Sequence, residues 1–139
     1  MKKMLLIAVL TLMSTVMFSQ NTLKINVDGL SNNKGQLVVS LFKKGQAFGV
    51  HKMPFRKIIA DEIINGKCSI IINDVEKGEY AFTVFHDEDK NGELKTNWFR
   101  MPKEGIGKSG NQKARPSFEN SKFTFSGGSK TFNVKLKYL

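Results

Sequence analysis

Leu23-Lys24-Ile25-Asn26-Val27-Asp28 alternates apolar and polar residues without a break. In an extended strand successive side chains point to opposite faces. Leu23, Ile25 and Val27 therefore share one face, and Lys24, Asn26 and Asp28 share the other. A helix would turn Ile25 away from Leu23 and Val27. The stretch reads as a strand with one face on a core and one face in water. The same period returns at Leu37, Val39 and Leu41, interleaved with Val38, Ser40 and Phe42. It returns again at Phe132, Val134, Leu136 and Tyr138, interleaved with Asn133, Lys135 and Lys137. Further strands are predicted over residues 56–60, 67–73, 79–86 and 121–125.

Turn signals fall between these runs. Gly29 to Gly35 encloses the polar Ser31-Asn32-Asn33-Lys34 and joins the first two strands. Asn65-Gly66, between Ile64 and Lys67, is a hairpin signal because both residues accept positive φ. Glu76-Lys77-Gly78 and Gly127-Gly128 precede the strands that follow them. No segment has a convincing amphipathic helical pattern, and residues 44–54 are left for a short helical or irregular connection. Short strands with regular turns predict an all-β fold, a seven-stranded antiparallel sandwich.

The N-terminus bears on location. Lys2-Lys3 precedes an apolar run from Met4 to Val16, and Met17-Phe18-Ser19 leads into the polar Gln20-Asn21. This layout predicts a secretory signal peptide over residues 1–19. The rival reading, a membrane anchor, needs roughly 20 apolar residues, more than this run supplies. No cysteine follows the run, which argues against lipid attachment there. Residues 20–139 then form one domain, exported to the periplasm or beyond, with no transmembrane segment after processing.

The chain has 22 Lys and Arg against 12 Asp and Glu, a formal charge of +10. The basic residues are spread along alternating positions, the pattern of a solvated face. The functional alternative is attraction to an acidic surface, such as anionic glycan or lipid headgroups. Nucleic acid is not expected, since no binding motif accompanies the charge. The single cysteine, Cys68, alternates with Ile70 and Ile72 and reads as a buried thiol.

Strand alternation stops between His86 and Phe118, yet Trp98, Phe99, Met101 and Ile106 lie inside the interval. A disordered tract is poor in aromatic residues, so this segment is predicted to be an ordered excursion. Trp98 and Phe99 are expected to pack back on the sandwich.

The excursion opens with His86-Asp87-Glu88-Asp89-Lys90-Asn91-Gly92-Glu93-Leu94. Asp87, Asp89 and Asn91 followed by Gly92 match the first half of a calcium loop. A hard cation takes six to eight oxygens at about 2.3–2.6 Å, and short acidic and amide side chains at alternate positions can converge on one. The carbonyl of Glu93 is the next expected ligand. Trp98 stands where the bidentate glutamate of a helix–loop–helix site belongs, and the loop leaves a strand. A calcium site of Asp87, Asp89, Asn91 and Glu93 would therefore need a remote oxygen, with Glu104 a candidate by closeness in sequence. The other reading is a polar turn whose carboxylates stay in solvent.

His86 shares a strand face with Tyr80, Phe82 and Val84, which suits a packed, hydrogen-bonded residue. The chemical alternative is a base, working with Asp87 or Glu104 on a small cell-envelope substrate. No nucleophile has a local signature, and no paired His and Cys spacing suggests zinc. Gly107-Lys108-Ser109 looks like the end of a phosphate loop, but Pro102 stands where that loop needs glycine.

Four motifs in fixed order are familiar: Gly78-Glu79-Tyr80-Ala81, HDEDKNGELKTNWF from His86, MPKEGIGKS from Met101 and RPSFENSKF from Arg115. Together they resemble the exported bacterial family DUF2141, from about Leu23 to Tyr138. The resemblance implies a transthyretin-like or immunoglobulin-like sandwich with one long ordered loop, and implies export, but no particular activity. Transthyretin-like folds include small-ring hydrolases, whose histidine-rich site has no counterpart in His51 and His86. The favoured reading is a non-enzymatic exported module, binding or structural, whose partner would be a protein or glycan of the cell envelope. The alternative is a hydrolase using His86 and Glu104.

Overall fold

The computed structural model describes residues 20–139, and the expected signal peptide lies outside them. The chain runs β1 (Thr22–Asp28), β2 (Gln36–Lys43), β3 (Arg56–Ala60), β4 (Cys68–Ile72), β5 (Gly78–Asp87), β6 (Ile106–Lys108), the one-turn α1 (Phe118–Ser121), β7 (Phe123–Phe125) and β8 (Ser129–Lys135). The strands form two sheets, one ordered β4-β1-β8 and one ordered β3-β2-β5-β6, with β7 also paired to β5. Along one edge of β5, β6 takes Thr83–Phe85 and β7 takes Gly78–Tyr80.

The core lies between the sheets. Leu23, Ile25 and Val27 meet Cys68, Ile70 and Ile72 from the small sheet, and Leu37, Val39, Leu41, Tyr80, Phe82 and Val84 from the large one. The alternation in β1 is the alternation of burial: each of its three apolar residues is at most 2 % exposed. Phe82, Phe123 and Phe132 close one side, with ring centroids 4.6–6.1 Å apart. Edge-on aromatic contacts of this kind add to area burial. They tie β5 and β7 of the large sheet to β8 of the small one.

Two features of the expected sandwich need correction. Among the described residues there are eight strands rather than seven, because β6 is a three-residue strand inside the excursion. Ile-Gly-Lys is too short to show a period. The sheets are also not wholly antiparallel, since β1 pairs β8 in parallel over Thr22–Asp28. Strand direction leaves no trace in a period-two pattern, and these partners come from opposite ends of the domain. Residues 44–55 form turns and bends, with no helix.

β2 and β5 are buried on both faces. On the outer face of the large sheet Val38 and Phe85 pack with Leu94, flanked by Val50 and Ile106. This second layer explains why both strands read as near-continuous apolar runs. The excursion therefore covers the large sheet and leaves the end of β5 inside protein.

Asn65 and Gly66 have φ of 52° and 70°. These are the positive values of a type I′ turn, and Ile64 and Lys67 exchange both backbone hydrogen bonds across it. This turn lies where the chain passes from β3 in one sheet to β4 in the other.

Candidate metal centre and its loop

β5 ends at Asp87, opposite Gln36 of β2. Asp87 has no exposed surface. Its Oδ2 accepts from Gln36 Nε2 and from the Gly92 amide, each at 2.8 Å, and its Oδ1 accepts from the Asn91 amide at 3.2 Å. One carboxylate thus gathers the loop that follows it. Lys90 and Gly92 take positive φ, which lets the chain fold back over Asp87. Gly35 presses from the other side, where an added Cβ would lie 2.1 Å from the Asp87 carbonyl oxygen.

Glu104 comes in from the far end of the excursion and is 4 % exposed. Its Oε1 accepts from the Glu88 amide at 3.2 Å, and its Oε2 accepts from the Lys95 amide at 3.1 Å. Asp87, Asp89 and Glu104 each present an oxygen within 4.8 Å of the other two. Oxygens bound to one calcium ion at about 2.4 Å are at most about 5 Å apart, so the three oxygens are close enough to share a single hard cation. The Lys95 ammonium lies 2.5 Å from Asp89 Oδ2. Its hydrogen bond holds the Asp89 carboxyl below the usual aspartate range, and Asp89 in turn raises the Lys95 ammonium.

The expected ligands therefore divide. Asp87 and Asp89 come together, and Glu104 joins them. Asn91 turns its side-chain oxygen to the Glu93 amide, 2.9 Å away, and caps the turn. Glu93 is exposed, and its side-chain carboxylate is not part of the converging set. Gln36 was not legible as a partner of Asp87, because only the β2–β5 register places them together.

His86 is fully buried. Its Nε2 lies 2.6 Å from the Lys34 carbonyl oxygen, which only accepts, so Nε2 carries a proton. Nδ1 lies 3.0 Å from Tyr138 Oη, and that oxygen accepts from the Ser31 amide at 2.9 Å. The tyrosine hydroxyl can thus donate to Nδ1, linking β5, the first turn and the C-terminal segment. In this geometry both ring nitrogens are used by protein atoms. Glu104, the other residue of the hydrolase reading, is likewise held by two amides.

Above the carboxylates, residues 95–103 form a small hairpin. The Lys103 amide donates to the Lys95 carbonyl, and Thr96 bridges Pro102. Asn97 Oδ1 accepts from the amides of Phe99 and Met101 at 2.9 and 3.0 Å. Trp98 and Phe99 occupy the tip and are 94 % and 80 % exposed. The expectation that they pack on the sandwich is overturned. Leu94 and Ile106, at the two ends of the hairpin, take that role.

Cys68 is a free, buried thiol, as its alternation indicates. Burial raises its pKa, with Glu62 and Asp61 adding to the effect. Lys108-Ser109 belongs to the β6 edge, where Ser109 Oγ accepts from the Phe82 amide and donates to the Ser121 carbonyl.

The family model described as an uncharacterized protein conserved in bacteria (DUF2141) matches residues 25–133. The chain is a member of this family. The DUF2141 match runs from Ile25 within β1 to Asn133 within β8 and includes the whole excursion. No curated protein matches the sequence. Among solved structures, a fimbrial assembly protein from Parabacteroides distasonis is similar, with 9 % identity and a TM-score of 0.45. The alignment covers 86 % of this chain and 53 % of that one, so the chain spans about half that protein's length.

Proposed function

We propose that this DUF2141 protein is a non-enzymatic module of the cell envelope that binds through its excursion. Asp87, Asp89 and Glu104 would take a calcium ion at the base of the hairpin. The observation behind this reading is that carboxylates from both ends of the excursion converge beneath an aromatic tip. Two of the three are buried, and a buried carboxylate is costly unless it is paired or bound to a cation. The tip is pre-formed by Asn97, so Trp98 and Phe99 are presented without the entropy cost of ordering a loose loop. A protein or glycan of the envelope is the proposed partner. The chemistry favours binding over hydrolysis, since reaching either His86 nitrogen requires breaking a contact to Lys34 or Tyr138.

The proposal includes export, supported by the Lys2-Lys3 and Met4–Val16 layout, and a transthyretin-like or immunoglobulin-like form of the two-sheet fold. Calcium titration with a thermal melt tests the metal. Extracellular modules bind calcium with Kd of about 10⁻⁴–10⁻³ M. At that affinity, about 5 mM calcium stabilises the fold by about 1–2 kcal/mol. The midpoint should rise by several degrees with calcium and should not rise in Glu104→Gln. An unchanged wild-type midpoint would remove calcium from the reading.

A further inference from the structure

A groove of about 510 Å³ lies on the outer side of the large sheet, apart from the carboxylate cluster. Val50, Leu94, Pro102, Ile106 and Ala114 give it apolar walls, and Lys52, Lys108 and Lys137 also line it, Lys52 being exposed. No acidic side chain does. Lys108 is only 7 % exposed. Its Nζ donates to the Asn111 carbonyl, and Lys137 Nζ donates to the neighbouring Gln112 carbonyl at 3.2 Å. The two ammonium groups are thus held by adjacent peptide units. Burial and then the charge of Lys137 lower the Lys108 pKa. Among the described residues neither lysine forms an ion pair, with a side chain or with the Leu139 carboxylate at the rim.

A largely buried cation beside a like charge, with no acidic group within ion-pair distance, is unfavourable in the empty groove. An anion entering there would neutralise the repulsion and offset the cost of desolvation. The apolar walls require that its remainder be apolar, and the volume falls in the usual range for small-molecule sites. We propose that the groove binds a fatty-acid-type ligand, a linear acyl chain ending in a carboxylate. The carboxylate meets Lys108 and Lys137, and the chain lies against Val50, Leu94 and Ile106.

Calorimetric titration of the purified protein with laurate, dodecanol and acetate separates the contributions. Laurate should bind saturably, about tenfold or more tighter than dodecanol, as a charge-assisted contact implies. Acetate should give no saturable signal. Lys108→Met should reduce laurate affinity to that of dodecanol. Its ligand-free melting midpoint should not fall, because the substitution removes an unpaired buried charge. Ala114→Trp, which fills the groove from a loop, should abolish laurate binding and leaves a test if Lys108→Met misfolds. Equal affinity for laurate and dodecanol, absence of saturable laurate binding, or full laurate binding by a folded variant of either kind would overturn the proposal.

Discussion

Replacing Asp87 with alanine should cost far more than an ordinary loop substitution. The carboxylate is fully buried and accepts three hydrogen bonds, from Gln36 Nε2, the Asn91 amide and the Gly92 amide. Hydrogen bonds to a charged group contribute about 1.5–3 kcal/mol each, and a buried donor left unpaired costs about 1–3 kcal/mol. The loop donors can turn partly to water, so the low end applies, and three bonds then give about 3–5 kcal/mol. Against a domain stability of about 5–15 kcal/mol, this is a large fraction. Urea denaturation should show a lower midpoint with the slope unchanged. Amide hydrogen exchange should show Asn91 and Gly92 losing protection first. A loss under about 1 kcal/mol, with both amides still protected, would mean that Asp87 does not organise the loop.

Other substitutions probe separate parts of the account. Gly35→Ala should destabilise by about 2 kcal/mol or more in a thermal melt, because φ is +74° and the new Cβ would meet the Asp87 carbonyl oxygen. Trp98→Ser should leave the melting midpoint within about 1 °C while abolishing partner binding, because the ring makes little contact with the fold. Lys95→Met should tighten calcium binding in a calorimetric titration, since a metal on Asp89 must displace that ammonium. The Asp89–Lys95 pair also has a defined pH window. Asp89 is lowered, so its contribution is full above the ordinary aspartate range and is lost as pH falls through its depressed folded value. Lys95 is raised, so its contribution is full below the ordinary lysine range and is lost as pH rises through its folded value. Melts across pH should show both losses in the wild type; in Lys95→Met the alkaline loss should be absent and the acid loss smaller, since Asp87 and the Asn91 amide still lower Asp89. Cys68 should resist thiol reagents until the chain is denatured, because the folded thiol is buried and its pKa is raised.

The strands were legible wherever one face meets the core and the other meets water. β1 and β4 follow that rule residue by residue, and Asn65-Gly66 announces its own turn. β6 was not legible, because three residues including a glycine carry no period. The parallel pairing of β1 with β8 was hidden because alternation specifies faces, not directions. Asp87 and Asp89 could be read from their spacing of two. Glu104 could be suggested only by nearness, and its burial depends on how the excursion returns to β6. Trp98 and Phe99 misled because apolar residues in an ordered loop usually pack inward. Asn97 instead holds them at a turn, while Leu94 and Ile106 anchor the hairpin.

The proposed metal centre requires Asp87, Asp89 and Glu104 to act together on one cation. A calcium titration followed by amide chemical shifts tests this directly. The predicted result is saturable shifts centred on the amides of Glu88, Asn91, Gly92 and Lys95, which these carboxylates hold. Absence of shifts at millimolar calcium, or shifts scattered over exposed carboxylates elsewhere, would contradict it.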